Sequence, residues 1–530
     1  MTAQAPLAAA RALVDALRHP DAYPHPVDEP IRVAETHISW VLLTGAYAYK
    51  IKKPLKLSFL DYSTLERRQR LCAEELRLNR RLAPDLYLGV SAIRGSPDAP
   101  RIDGDGTALE YAVRMRQFSP DDELTARLAA GSVSPDDVAR LGASLARFHA
   151  AAAAAPPGSV HGLPATVHRV TMDNFAELRA LPEAAGWVAN RSALESRVAE
   201  MHGGLRRLME QRRDLGRVRE CHGDLHCGNV VRWAGELTAF DGIEFDPTLR
   251  FIDVVNDVAF LTMDLAERGH PVLRRALLQA WAETSGDWTG LPLLPYYEAY
   301  RALVRAKVDA LRALQLEPGA AARAAAVADC RRYLDWASAR VRPRRPAMLV
   351  TCGLSGSGKT WLARRLAERL GALHLRSDVE RKRLAGLAAH EDSRSPPDAG
   401  IYTLEFNART YRRLEDCATA ALAAGEPVIV DAAFLRSHER QRFLALARER
   451  NVPCALVHCR APDALLRERV QARAAARNDA SEAGLEVLAR QPSYWEDFGG
   501  EERPHVVNVD TSDPAAVVAA IERLAALTGG

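Results

Sequence analysis

A chain of 530 residues is longer than one hydrophobic core organises, because domains cluster at about 100–200 residues, so at least two folding units are expected. Hydrophobic residues make up 48% and charged residues 26%, which excludes disorder or a coiled coil as a global description; no apolar run of about 18 residues marks a membrane span. The net charge of +3 argues against a dedicated nucleic-acid binder, and the opening apolar stretch is broken by Arg11 and Asp15, unlike a secretory signal, so a cytoplasmic location is expected.

Only seven of the 71 basic residues are lysines, and four of them, Lys50, Lys52, Lys53 and Lys56, fall within seven residues. An ammonium is a compact point charge that a guanidinium replaces poorly at a phosphate, so the retained lysines are candidates for phosphate contact. The eight cysteines lack paired CxxC spacing, which predicts reduced, mostly buried thiols.

In chain order, strand-like segments come first, at 37–43, 46–51 and 108–115, with a helical pattern over 65–82 between them. Helices dominate after Pro120. The pattern predicts an α+β domain over 1–340, with a small sheet-rich lobe over about 30–118 and a helical lobe over about 119–340. The Arg- and Pro-rich stretch 341–346 reads as an exposed linker, and an α/β domain follows over 347–530.

Residues 219–246 read RECHGDLHCGNVVRWAGELTAFDGIEFD. Asn229 lies five residues after Asp224, and Asp241 lies twelve beyond Asn229 at the end of a strand-like segment. Phosphoryl transfer needs a carboxylate to position the attacking hydroxyl and oxygen ligands to hold Mg²⁺ on the nucleotide phosphates. One loop can present Asp224 to the acceptor and Asn229 to the metal, while a hairpin returns Asp241 to that metal. This constellation resembles the aminoglycoside phosphotransferase and choline-kinase branch of the protein-kinase-like fold, over roughly residues 30–335. The resemblance implies a bilobal protein-kinase-like domain, with Asp224 as catalytic base and Asn229 and Asp241 as Mg²⁺ ligands. It also implies Lys50 as the nucleotide-clamping lysine, with Glu75, or alternatively Glu74, as its ion-pair partner, and His222 as a brace for the loop. The phosphate-covering loop offers only Gly45, and Gly223 rather than an arginine precedes Asp224, which points to a constitutive small-molecule kinase. The acidic residues of 242–269, among them Glu244, Asp246, Asp253, Asp257, Asp264 and Glu267, either attract a cationic acceptor or serve as caps and solvent-facing charges.

The carboxyl-terminal half opens with an apolar strand, the loop GLSGSGKT (353–360) and an amphipathic helix. In this GxxxxGK[ST] pattern Gly353, Ser355, Gly356, Ser357 and Gly358 curl backbone N–H groups around a phosphate, Lys359 reaches the β/γ-phosphates, and Thr360 ligates Mg²⁺. Asp378 and Asp431 end predicted strands, at the carboxyl edge of a parallel sheet beside the loop. Arg469, Arg473 and Arg477 share a helix face suited to a lid. This half resembles the small P-loop kinases that phosphorylate hydroxyls, a group that includes gluconate kinases, polynucleotide 5′-kinases and zeta-type toxins, over nearly all of 347–510. The resemblance implies a P-loop NTPase domain in which Asp378 orients or deprotonates the acceptor hydroxyl. Arg381 then contacts substrate or phosphate, Arg473 or Arg477 acts from the lid, and Asp431 is a Walker-B-like Mg²⁺ partner.

The expectation is an ATP- and Mg²⁺-dependent phosphotransferase with two fused kinase modules, each acting on a hydroxyl of a small molecule such as a sugar or amino sugar. In one alternative a single module is catalytic and the other senses nucleotide. In another the P-loop half is a polynucleotide 5′-kinase, which its near-neutral charge disfavours. No membrane partner is expected; the acceptors and the oligomeric state are open.

Overall fold

In the computed structural model the Tyr47–Lys52 strand turns Tyr49 and Ile51 to one face and Ala48, Lys50 and Lys52 to the other, as the twofold period of a strand requires. The structure describes residues 4–57, 60–181, 185–188, 191–396, 398–476 and 479–527. It divides into two compact units, one of residues 1–170 with 206–264, the other of residues 171–205 with 265–530.

In the first unit, six strands form a sheet in the order Arg32–Glu35, Ser39–Leu43, Tyr47–Lys52, Glu110–Arg116, Tyr87–Ser96 and Ala99–Ile102, all antiparallel. One face carries a core of Trp40, Leu42, Tyr49 and Ile51 with Leu13 and Val14 of the Gln4–Ala16 helix and Leu17 just after it. The other packs Ala48, Tyr87 and Val113 against Cys72 of the Leu65–Asn79 helix, which begins where the Thr64 hydroxyl accepts from the Arg67 N–H. With both faces covered, the two lysines of the central strand lie in the interior and need charged partners there.

Beyond the sheet, Val230–Trp233 and Glu236–Ala239 form a hairpin closed by Ala234 and Gly235, both at positive φ (49° and 88°), as a two-residue turn demands. Its register sets Val230 opposite Ala239, and the Phe240 N–H donates to the Asn229 carbonyl at 2.9 Å. Asp241 therefore emerges at the same end of the hairpin as Asn229.

The second unit is built on a five-stranded parallel sheet in the order Leu373–Arg376, Val428–Asp431, Met348–Cys352, Cys454–Arg460 and Val506–Asp510. The first strand in sequence is central, so the chain reverses direction of travel beside the loop that follows it, where α/β sheets bind ligands. Leu362, Leu366, Ile429, Val457 and Val509 fill the layer beneath. The fold is thus mixed, an antiparallel-sheet part and a parallel-sheet part that carries the GxxxxGK[ST] loop.

The helices Pro271–Ser285, Leu294–Gln315 and Ala321–Arg340 belong to the same compact unit as the parallel sheet. Arg274 pairs with Glu298 (3.0 Å) and Glu426 (2.7 Å), while Arg340 pairs with Glu426 (2.9 Å) and also meets Glu298. All four side chains are buried or nearly so. Gln279 holds the edge strand by both backbone groups of His374, accepting from its N–H at 2.8 Å and donating to its carbonyl at 2.9 Å. Within the Arg/Pro stretch residues 342–345 are exposed, whereas Arg340 and Val341 are buried. No helix among the described residues is long and apolar enough to cross a membrane.

Candidate active sites

The two inward lysines share one carboxylate. Lys50 Nζ lies 2.9 Å from Glu75 Oε1 and Lys52 Nζ lies 2.5 Å from Glu75 Oε2. Lys50 also meets the Asp241 carboxylate, and Lys52 meets that of Glu244, which accepts the Tyr62 hydroxyl as well. Glu74 turns instead to Arg77 and Arg250, each at 2.8 Å. Burial opposes charge on Lys50, but Asp241 and Glu75 hold its pKa well above the ordinary value; Glu75 is driven up by burial yet brought to about 2 by Lys50 and Lys52. Lys50, Lys52 and Glu75 are therefore held in their charged forms. Lys53 instead binds the Thr36 carbonyl (2.6 Å) and Glu35 (2.8 Å), and Lys56 is exposed.

The sequence offers Lys52 only as one of the candidates for phosphate contact and leaves Glu244 between attracting a cationic acceptor and serving as a cap or solvent-facing charge; the structure pairs the two instead. Strand alternation carried the signal for Lys52, but Glu244 lies 192 residues away and only the fold brings it there. Removing one member of a buried pair leaves an uncompensated charge. Lys52→Met is expected to lower the free energy of unfolding by about 3–5 kcal/mol in urea titrations. The double variant Lys52→Met/Glu244→Leu should lose less than the single one.

The catalytic-loop candidates are held by buried acids. Asp257 accepts the His222 N–H (3.1 Å) and the Gly223 N–H (2.9 Å) and lies 3.0 Å from His149 Nε2; Asp264 accepts the Cys227 N–H at 2.8 Å. Burial lowers the His222 pKa, keeping the ring neutral: Nε2 donates to the Phe240 carbonyl (2.8 Å) and Nδ1 accepts the Asp224 N–H (3.3 Å), an assignment that follows from these partners. Asp253 pairs with Arg212 and Asp246 caps a short helix. Asp253, Asp257 and Asp264 are buried and engaged, so they do not form a surface that would attract a cationic acceptor.

Asn229 Nδ2 donates to both the carbonyl (2.9 Å) and the carboxylate (3.0 Å) of Asp224. The Asp241 backbone sits at φ 62°, fixed by its N–H to the Tyr87 hydroxyl (3.0 Å) and by the next N–H, of Gly242, to Asn79 Oδ1 (2.8 Å). The side chains of Asp224 and Asp241 are 35% and 39% exposed, so ligands reach both. An amide oxygen and a carboxylate are hard oxygen donors that suit Mg²⁺. Gly45, at φ 94°, forms a tight turn with its N–H given to Gln117 Oε1 at 2.9 Å, and a Cβ there would collide with Asp28.

In the second unit, Gly353, Gly356 and Gly358 all have positive φ, and a Cβ on the first two would strike the carbonyls of Cys459 and Leu466. Half-buried Lys359 rests on the carbonyls of Gly353 (2.9 Å) and Leu354 (2.8 Å), where desolvation pushes its pKa down against the pull of Asp431 and Asp378. The Ser355 N–H donates to Gln491 Oε1 at 2.7 Å, and the buried Ser357 hydroxyl has no hydrogen-bond partner among the described residues. Asp431 accepts from the Thr351 hydroxyl (3.1 Å) and lies 3.0 Å from His374 Nε2. Burial raises its pKa, but His374 and the Thr360 hydroxyl bring it to about 2. Thr360 and Asp431 thus place two hard oxygen donors together, which suits Mg²⁺.

Asp378 is partly buried in the first turn of the Ser377–Leu384 helix. Arg469 is a brace for the phosphate loop, donating to the Thr511 hydroxyl (2.9 Å) and to the Gly356 carbonyl (3.3 Å), rather than a lid cation. Arg473 donates to the Ala483 carbonyl at 2.7 Å, within reach of Lys359 by its field. Arg477 lies outside the described residues. Gln491, 136 residues from Ser355, had no local signal in the sequence.

Residues 348–497 match the AAA domain family AAA_33. Among solved structures, a gluconokinase from Sinorhizobium meliloti 1021 is 24% identical, covering 35% of this chain and 96% of its own (TM-score 0.24). A choline/ethanolamine kinase family protein from Mesorhizobium loti is 14% identical over 62% of this chain and 99% of its own (TM-score 0.36). The amicoumacin kinase hAmiN, solved with AMP-PNP, Ca²⁺ and Ami, is 14% identical over 63% and 95% (TM-score 0.37). Over nearly the whole chain, the proteins Rv2004c of Mycobacterium tuberculosis (strain H37Rv) and Mb2027c of Mycobacterium bovis are each 32% identical across 476 residues, 89% of this chain and 92% of theirs. The chain belongs to the same family as these mycobacterial proteins.

Proposed function

We propose that the protein is an ATP-dependent phosphotransferase with two fused kinase modules, corresponding to residues 1–340 and 347–530, each transferring the γ-phosphate to a hydroxyl of a small molecule. The observation that carries this reading is that each unit separately assembles a lysine among carboxylates, buried Lys50 with Glu75 and Asp241 in one and half-buried Lys359 in the fields of Asp431 and Asp378 in the other.

In the first module Asp224 takes the proton of the acceptor hydroxyl while its oxygen forms the new bond to phosphorus and the bond to the β-phosphate oxygen breaks, releasing ADP. Asn229 orients that carboxylate through its Nδ2. Lys50 holds the nucleotide phosphates, and Glu75 holds Lys50. In the second module Asp378 has the acceptor role, and Lys359 leaves its two resting carbonyls for the β/γ-phosphates. Asn229 with Asp241, and Thr360 with Asp431, would hold Mg²⁺, which supplies neutralisation of phosphate charge.

A second reading has the first module sensing nucleotide without turnover. It is favoured by Gly45, whose N–H is already given to Gln117 instead of being free for a phosphate. The test is ADP release by the full chain against a metabolite panel. Asp224→Asn is expected to abolish one acceptor-dependent activity by roughly 10²-fold or more, as loss of general-base catalysis does, and leave another intact. If Asp224→Asn leaves every activity of an active wild type unchanged, the first module is not catalytic.

A further inference from the structure

The Ser377–Leu384 helix carries Asp378, and at eight residues it is too short to hold its own shape, since isolated helices below about 12–15 residues are marginal in water. Its direction is therefore set by what grips it. Glu380 lies two residues on from Asp378, about 200° around the helix, so the two carboxylates leave opposite faces. Asp378 is on the side from which its field reaches Lys359. Glu380 turns into the interior, 1% exposed, and is the point of attachment.

Three donors meet Glu380. The Trp288 indole N–H (3.1 Å) and Arg383 Nε (3.2 Å) share Oε1, and Arg413 Nε reaches Oε2 at 2.9 Å. Trp288 is equally buried and opens the segment that follows the Pro271–Ser285 helix, well ahead of the phosphate loop in sequence. Both arginines also bind the carboxyl end of that helix. Arg383 donates to the carbonyls of Glu283 and Thr284, the latter at 3.5 Å, and Arg413 donates to the Gly286 carbonyl at 2.6 Å. A helix end leaves its last carbonyls unpaired and carries the negative pole of the dipole, so two guanidinium groups suit it on both counts. Gly286 closes the helix at φ 67°, and a Cβ there would strike the Arg383 side chain, so the close approach requires glycine.

We propose that the 283–288 segment is a positioning element for the P-loop module: through Glu380 it fixes the helix that presents Asp378 to the acceptor hydroxyl. Trp288, Arg383 and Arg413 are positioning residues that act through that helix. A carboxylate takes a proton only from a hydroxyl within about 2.6–3.2 Å, and a misplacement of about 1 Å costs roughly 10²-fold in rate. The P-loop module thus takes part of its acceptor geometry from residues that precede its own domain, in the stretch read from sequence as the other module's helical lobe. This inference rests on the kinase reading and on the acceptor role of Asp378.

The test uses the full chain and Trp288→Phe, which removes the indole N–H and keeps a ring in the interior. The readout is ADP release with the members of the metabolite panel that give Lys359-dependent turnover in the wild type. In Trp288→Phe the kcat of that activity should fall by roughly tenfold or more while KM for ATP stays unchanged, and the Asp224-dependent activity should persist in full. Arg413→Met should lose as much, and Arg413→Lys, which keeps a charged donor, should recover part; this pair carries the comparison if Trp288→Phe does not fold. Hydrogen exchange gives a second readout: in Trp288→Phe the amides of 377–384 should exchange several-fold faster, while those of 359–370 keep the wild-type rate. An unchanged kcat, or an equal fall in both activities, would overturn the positioning role while leaving the kinase reading in place. If no compound gives Lys359-dependent turnover in the wild type, the kinase reading fails for that panel, and exchange then decides the anchor: selective loosening of 377–384 upholds it, and unchanged or general loosening refutes it.

Discussion

Lys359→Ala is expected to reduce turnover by the P-loop module by roughly 10²–10³-fold, the usual cost of deleting one preorganised donor to developing phosphate charge. The Asp224-dependent activity should persist. The lysine is half-buried, within the fields of Asp431 and Asp378, and its resting contacts are two carbonyls of the loop it belongs to. It is thus stored beside the phosphate position, and alanine removes a charge that no neighbour replaces: Arg469 is committed to Thr511 and the Gly356 carbonyl, and Arg473 to the Ala483 carbonyl. Single-turnover assays of each acceptor-dependent activity check the result. Loss of both activities together would mean that one nucleotide site serves both, contrary to two independent modules.

Glu426→Ala is expected to destabilise the second unit by about 3–5 kcal/mol, far above the 0–1 kcal/mol of an exposed pair, because it strips a shared partner from two buried arginines. Arg274 and Arg340 would then compete for Glu298 alone. Burial raises the pKa of Glu426, but the two arginines bring it down to about 2 from an ordinary 4.5. A depressed carboxylate contributes stability that is complete above its unfolded pKa and is lost as pH falls through the folded one. The gap in urea midpoint between wild type and Glu426→Gln should therefore stay constant from pH 8 to about 5 and narrow below about 4.5. A gap that widens on acidification would contradict the ion-pair account.

What the sequence made legible follows the range of the interactions involved. The phosphate loop needs only a strand, three strained glycines and a helix in succession, all local. Asn229 and Asp241 flank one hairpin and Asp224 sits on the loop leading into it, so their spacing alone brings them to one end of it. The Lys50–Glu75 pair came only as what the family resemblance implies, with Glu74 as the alternative, and it is the structure that turns Glu75 to Lys50 and Glu74 to Arg77. Contacts that depend on the tertiary fold were not legible: Glu244 against Lys52, Gln491 against Ser355, and Glu380 accepting the Trp288 indole N–H at 3.1 Å. The acidic run at 242–269 was ambiguous for a related reason, since a carboxylate's count and position do not disclose whether a backbone N–H waits opposite it.

The clasp of Gln279 on His374 has a consequence for how this chain can be divided. A carboxamide that offers both an acceptor and a donor to one residue of an edge strand does what the next strand of a sheet would do. A fragment beginning after the Arg/Pro stretch would retain every residue of the phosphate loop yet present the Leu373–Arg376 strand with open backbone groups, a template on which other copies can add. The helices before the stretch therefore act as a built-in guard against self-association, which ties the solubility of the P-loop module to the polypeptide that precedes it.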